Sequence, residues 1–115
     1  MAKDAFLDAL TALEDVIGEN ERRATLIRKR MARIRRARER GAEYSDTVAD
    51  EDGPLIVQLL TESATALDTC GAMVRRAEAL ALHGEGMTME QIAEHFGVTR
   101  QRVSALLRKS AEQNE

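Results

Sequence analysis

Residues 88–109 contain the feature that most constrains the fold, two short helical patterns separated by a single glycine. Thr88, with Gln91 three residues later, forms a capping box, which predicts that a helix begins there. Gly97 stands where the chain must turn at a positive φ, and Thr99 can cap a second helix. Each helix has one apolar side, which Ile92, Ala93 and Phe96 form in the first helix and Val103, Leu106 and Leu107 in the second, while Val98 fills the turn. The pattern predicts two helices that cross at a tight turn, a helix-turn-helix.

The side of the second helix opposite Val103 carries residues suited to the edges of DNA bases. Arg binds guanine and Gln binds adenine through paired hydrogen bonds, while the methyl of Ala contacts thymine. Flanking cations and the helix N-terminus suit phosphates. The predicted DNA-binding residues are Thr88, Gln91, Thr99, Arg100, Gln101, Arg102, Ser104, Ala105, Arg108 and Lys109. The alternative interpretation is a small three-helix domain for protein interaction, whose basic face is only solvated.

The motif Thr88-x-x-x-Ile92-Ala93-x-x-Phe96-Gly97-Val98-Thr99-Arg100-x-Arg102-Val103 resembles a known family. It is similar to the helix-turn-helix of the promoter-reading C-terminal domain (region 4) of bacterial sigma factors, and to small bacterial regulators. The resemblance covers residues 72–110 and implies that Arg100 and Gln101 face bases. That family usually carries Glu at the position of Gln101 and Arg at the position of Ser104, so its sequence preference does not transfer to this chain.

The pattern of residues 3 to about 40 predicts one long helix with an unbroken heptad repeat. Its seam alternates steps of four and three residues through Phe6, Leu10, Leu13, Ile17, Asn20, Ala24, Ile27, Met31 and Ile34. We predict a coiled coil between two copies of the chain, with a polar Asn20 pair that fixes the register. The predicted dimer interface is Phe6, Leu10, Leu13, Ile17, Asn20, Ile27, Met31 and Ile34. The alternative is an amphipathic helix that packs on later helices of its own chain.

Charge is strongly segregated along the chain, which carries a net charge of −3. Residues 1–20 carry −4, residues 21–40 carry +8, residues 41–72 carry −7 and residues 73–115 are neutral. An antiparallel pair of long helices is therefore favoured, because it places each basic half beside an acidic one. The basic tract of residues 22–40 has three candidate partners: the acidic half of a second copy, the acidic segment 41–72, or DNA phosphates.

The remaining segments complete an all-α architecture. The predicted domains are a dimerisation arm (1–41), an acidic connector (42–53) expected to be a solvated loop, a packing helix (54–71) that Pro54 opens, a helix-turn-helix domain (72–110) and a tail (111–115). A break near Gly71 would separate the packing helix from the helix-turn-helix domain. The apolar neighbours of Cys70 indicate a buried thiol, with a reactive or intermolecular role as the alternative.

The sequence offers no nucleophile with a base, no metal-ligand spacing and no phosphate loop, so we expect neither catalysis nor a cofactor. We expect no membrane segment and a location in the bacterial cytoplasm, at the nucleoid. The Arg- and Ala-rich composition indicates a GC-rich bacterial genome. The leading hypothesis is a homodimeric, sequence-specific regulator that binds double-stranded DNA, with RNA polymerase as a further candidate partner. The alternative is a helical adaptor that binds RNA polymerase or another protein and contacts DNA only secondarily.

Overall fold

The computed structural model describes the backbone of residues 4–49, 53 and 55–113, and the side chains of residues 4–47, 53 and 55–108. Within these residues the secondary structure is five α-helices without a strand. They are α1 (Ala5–Glu39), α2 (Tyr44–Ala49), α3 (Ile56–Gly84), α4 (Met89–Phe96) and α5 (Arg100–Gln113). The predicted all-α class, with two long helices before a helix-turn-helix, is confirmed.

Both ends of α1 are defined by local hydrogen bonds. Asp4 Oδ1 accepts the Leu7 backbone N–H at 3.0 Å, which satisfies one of the amides that a helix N-terminus leaves without a partner. At the other end Gly41 has a φ of 93°, and Ala42 N donates to the Ala37 carbonyl at 3.0 Å. A left-handed residue with a bond back to the last turn is a common helix stop. The long helix therefore ends where the sequence predicts.

The middle of the chain differs from the prediction in two places. The connector expected to be a solvated loop contains the short helix α2, whose Thr47 is buried and donates a hydrogen bond to the Tyr44 carbonyl at 2.7 Å. Helix α3 then continues through Gly71 without the break considered there, because a helical glycine weakens a helix without ending it. Pro54, predicted to open this helix, lies outside the described residues.

The chain divides into two compact units, Met1–Leu13 with Thr69–Glu115, and Glu14–Asp68. In the second unit, α1 and α3 are joined by polar contacts. Asn20 Nδ2 donates to the Ser63 carbonyl at 3.3 Å, and Arg23 Nε lies 3.4 Å from Glu62 Oε2. The intrachain packing considered for the long helix is thus present at Asn20.

Within this unit, α1 uses a face rotated from the predicted seam. Arg30 is buried and Arg23 is mostly buried, although charged side chains at these positions indicate a solvated surface. Seam residues Ile17 and Met31, each directly following the inward positions 16 and 30, remain substantially exposed. Long Arg side chains cover apolar surface with their methylene stems, so the inward face does not have to be the most hydrophobic one.

The first unit contains the helix-turn-helix. We call residues 69–113, which comprise the end of α3 together with α4 and α5, the head. Its core holds five buried residues and several partly buried apolar side chains around them. The buried residues are Ala79, Ile92, Ala93, Val103 and Leu106. Ala93 is small, as expected where a second helix packs closely. Cys70 is buried, which confirms the interpretation of its apolar surroundings. Across the part of the chain that is described, no helix has the length and apolar character needed to cross a membrane.

The head core predicts different effects for the same substitution at two positions. Val103 is 0% exposed and Val98 is 40% exposed, so Val103→Ala should lower the stability of the head by about 2 kcal/mol, after the helix preference of Ala offsets part of the cavity cost. Val98→Ala should cost well under about 1 kcal/mol. Native-state amide hydrogen exchange in α4 and α5 measures both values. Equal costs would contradict this description of the core.

Candidate nucleic-acid interface

Helix α4 begins with the capping box that the sequence predicts. Thr88 Oγ1 accepts the Gln91 backbone N–H at 3.1 Å, and Gln91 Oε1 accepts the Thr88 backbone N–H at 2.9 Å. Both side chains are exposed, yet their polar atoms are used in the cap. Their main contribution is therefore to fix where α4 starts, and any contact with DNA must be made together with that role.

The turn between α4 and α5 depends on Gly97. Its φ of 69° and ψ of 35° lie in the left-handed region, and Val98 N donates to the Ala93 carbonyl at 3.0 Å. Apart from its two chain neighbours, no residue comes within 4 Å of the space that a side-chain Cβ would occupy at Gly97, so the left-handed backbone favours glycine there and crowding does not. Thr99 Oγ1 then accepts the Arg102 backbone N–H at 3.1 Å, which confirms the predicted cap of α5.

Helix α5 presents the predicted base-facing residues away from the head core. Gln101 and Arg108 are exposed on the side opposite the buried Val103, whereas Ser104 and Ala105 are half-buried. Because Ser104 and Ala105 are also short, they can contact a ligand only where it lies directly against α5. The side chain of Lys109, predicted as a phosphate ligand, lies outside the described side chains.

Arg100 forms an ion pair that the sequence does not reveal. Its Nε lies 3.2 Å from Glu90 Oε1, and both side chains are mostly exposed. Glu90 is in the first turn of α4 and Arg100 in the first turn of α5, so the pair joins the N-terminal ends of the two helices. An exposed ion pair contributes little stability, but it can hold a long side chain in one orientation.

Arg102 lies on another side of α5, in an open groove of the head that sequence reasoning missed. The lining includes Arg75 of α3 and the His95 ring, which is 3.8 Å from Glu78. Arg75 and Arg102 thus bring two cations to one groove. The sequence does not predict that Arg75 and Arg102 lie close together, because their proximity depends on how α3 packs against α5. Among the described residues, no cluster of His, Cys, Asp and Glu could hold a metal ion.

Comparison with known proteins agrees with this geometry. Residues 72–114 match the family model of a homeodomain-like domain. No curated protein and no solved structure gives a significant match. Residues 72–114 are therefore similar to homeodomain-like helix-turn-helix domains, and DNA binding is the function that such domains suggest. The narrower resemblance to the sigma-factor domain is not confirmed by this match.

The Gly97 turn makes a prediction about the backbone. Gly97→Val places a β-branched residue at positive φ and should destabilise the turn by about 1–3 kcal/mol. Gly97→Asn is the matched control, because Asn adopts the left-handed region with a smaller penalty. Hydrogen exchange of the α4 amides should accelerate in the Val variant far more than in the Asn variant, while circular dichroism shows that α1 and α3 persist. Equal protection in both variants would contradict the assigned turn.

Proposed function

We propose that this protein is a dimeric transcriptional regulator that reads double-stranded DNA by placing α5 in the major groove. The observation that carries the proposal is the orientation of α5, whose apolar side is buried at Val103 while Gln101 and Arg108 point outward. A major groove is wide enough for one α-helix, and these side chains can hydrogen-bond to base edges there. In this arrangement α4 crosses the backbone above the groove, as the first helix of such motifs does.

The charges around α5 divide into two roles in this proposal. Arg100 and Gln101 contact bases near the start of the helix, where side chains enter a groove most deeply. Arg102 holds a phosphate. Arg75 lines the same groove as a second cation, so the groove stays positive although the Glu78 carboxylate also lines it. A phosphate contact contributes affinity for every sequence, whereas a base contact contributes a preference.

Glu90 supports base reading by positioning Arg100. Its carboxylate meets Nε of the guanidinium, so the two terminal nitrogens can extend toward a guanine. The same carboxylate repels phosphates, which lowers affinity for duplexes that offer Arg100 no base partner. Glu90 would thus sharpen the preference of the head without touching a base.

Two copies are needed because one recognition helix reads only a few base pairs. A dimer supplies two recognition helices and extends the site to a repeated sequence. The basic tract of α1 has more than one use. Arg23 pairs with Glu19 and Glu62 and Arg38 stacks on Tyr44 within the chain. The exposed cations on the solvent side of α1 are Arg22, Lys29, Arg33 and Arg36, and Arg40 is exposed directly after its last residue. These five are candidates for contact with phosphates or with an acidic partner.

The proposal is tested by selecting bound fragments from a random duplex pool and mapping the footprint on the selected site. A defined footprint in the major groove is the expected result. Salt-sensitive binding to every duplex without a footprint would instead favour the adaptor function, in which the helices bind RNA polymerase or another protein.

Two substitutions on α5 should separate base contacts from phosphate contacts. Arg100→Ala should cost roughly 1–3 kcal/mol on the selected site and relax the preference at one position. Arg102→Ala should weaken selected and random duplexes alike and reduce the slope of log affinity against log salt by about one. Fluorescence anisotropy over a salt series measures both effects. Wild-type binding by both variants would contradict the assignment of α5.

Removal of the Glu90 carboxylate should have the opposite effect on random DNA. Glu90→Gln should strengthen binding to random duplexes several-fold and reduce the ratio of selected to random affinity. Glu94→Gln is the control, because it removes an equal charge from the same helix and leaves the Arg100 pair in place. If the two variants behave identically, the effect of Glu90 is one of net charge and its positioning role is wrong.

A further inference from the structure

The unit formed by residues 14–68 has an apolar surface that none of the residues described in the structure covers. We call it the open face. It consists of three residues of the predicted α1 seam and three apolar residues of α3, namely Ile17, Ala24, Met31, Val57, Leu60 and Leu67. The contrast between neighbours is large, since Leu59 is 3% exposed and Leu60 is 53% exposed. Exposed apolar residues in such a continuous stripe are typical of an interaction surface.

The two helices contribute to the same side of the unit. Ile17 and Met31 follow the inward positions 16 and 30 by one residue, as Leu60 follows the buried Leu59. One residue is a rotation of about 100° about the helix axis. Asn20 contacts Ser63, Arg23 contacts Glu62, and Met31 lines one groove with Ile56. Later positions on α1 thus meet earlier positions on α3, so the two helices run antiparallel. Equal rotations on antiparallel neighbours lead to the same side, and the groove lined by Met31, Arg35 and Ile56 lies on it.

One edge of the open face carries acidic residues before Ala24 and basic residues after it, at matching distances along α1. The α1 residues beside Ile17, Ala24 and Met31 on the outer edge are all exposed, and they are Glu14, Glu21, Arg28 and Arg35. A second α1 laid antiparallel across Ala24 would bring Glu14 to Arg35 and Glu21 to Arg28 of its partner. The same alignment places Ile17 beside the partner's Met31 and puts the smallest side chain at the crossing, where helix axes can approach closely.

We propose that the open face binds a second copy of this chain, with the two α1 helices antiparallel and crossing at Ala24. The occupant follows from the edge charges, which are complementary to themselves in this arrangement and unfavourable in a parallel one. Asn20 bonds within its own chain, so the crossing is at Ala24 and not at an Asn20 pair. The inference names the partner surface for the dimer proposed above and does not require that α5 binds DNA.

Sedimentation of the full chain without DNA tests the surface. The unmodified protein should sediment with twice the chain mass of 12.8 kDa at tens of micromolar. Ile17→Gln with Leu67→Gln should raise the dimer Kd at least about tenfold while helicity is kept. Met73→Gln is the control, since Met73 is 50% exposed in the head, outside the open face, and the variant should dimerise normally. A monomeric unmodified protein, or unchanged dimerisation of the double variant, overturns the proposal.

A charge exchange tests the antiparallel alignment. Glu21→Arg places two Arg residues opposite each other at both symmetric positions and should raise the Kd roughly three- to tenfold. Adding Arg28→Glu restores opposite charges and should recover the original Kd. In a parallel pair each edge residue faces the same residue of the partner. Like charges would then face each other before and after either substitution, so the Kd would stay nearly constant. Failure of the second substitution to rescue the first overturns the antiparallel crossing, and DNA binding by α5 is unaffected by either result.

Discussion

The packing of Ile92 and Val103 in one core is the constraint on which the recognition surface depends. Both side chains are fully buried, one on each helix of the motif. Once Val103 faces inward, the helical period decides that Gln101 and Arg108 face outward. The polar surface of α5 therefore follows from the burial of its apolar stripe, and a loss of that core would move every candidate DNA contact together.

The turn and the caps determine where that core can form. Gly97 supplies a left-handed residue, while Thr88 and Thr99 fix the first residues of their helices by accepting backbone N–H groups. Both helices would be marginal without tertiary packing, because isolated helices shorter than about 12–15 residues are barely stable in water. Local hydrogen bonds set the boundaries and the apolar core provides the stability.

The unit of residues 14–68 is organised on a different principle. Its inward α1 positions include Asn20, Arg23 and Arg30, so polar groups share the face that packs within the chain. Specific polar contacts favour one register between α1 and α3, since a shift would leave buried polar groups without partners. The more apolar neighbours, Ile17 and Met31, stay exposed and remain available for association between copies.

The sequence alone determined the local features of this protein. The capping box at Thr88, the glycine turn at Gly97 and the all-α class could be predicted because each depends on residues close together in the chain. Only the tertiary structure decided the rest. It brought Glu90 to Arg100 and Arg102 to the groove of Arg75, and it turned Arg30 inward and Ile17 outward. The physical reason is that a heptad pattern offers two adjacent faces, and the choice between them depends on the helix that packs there.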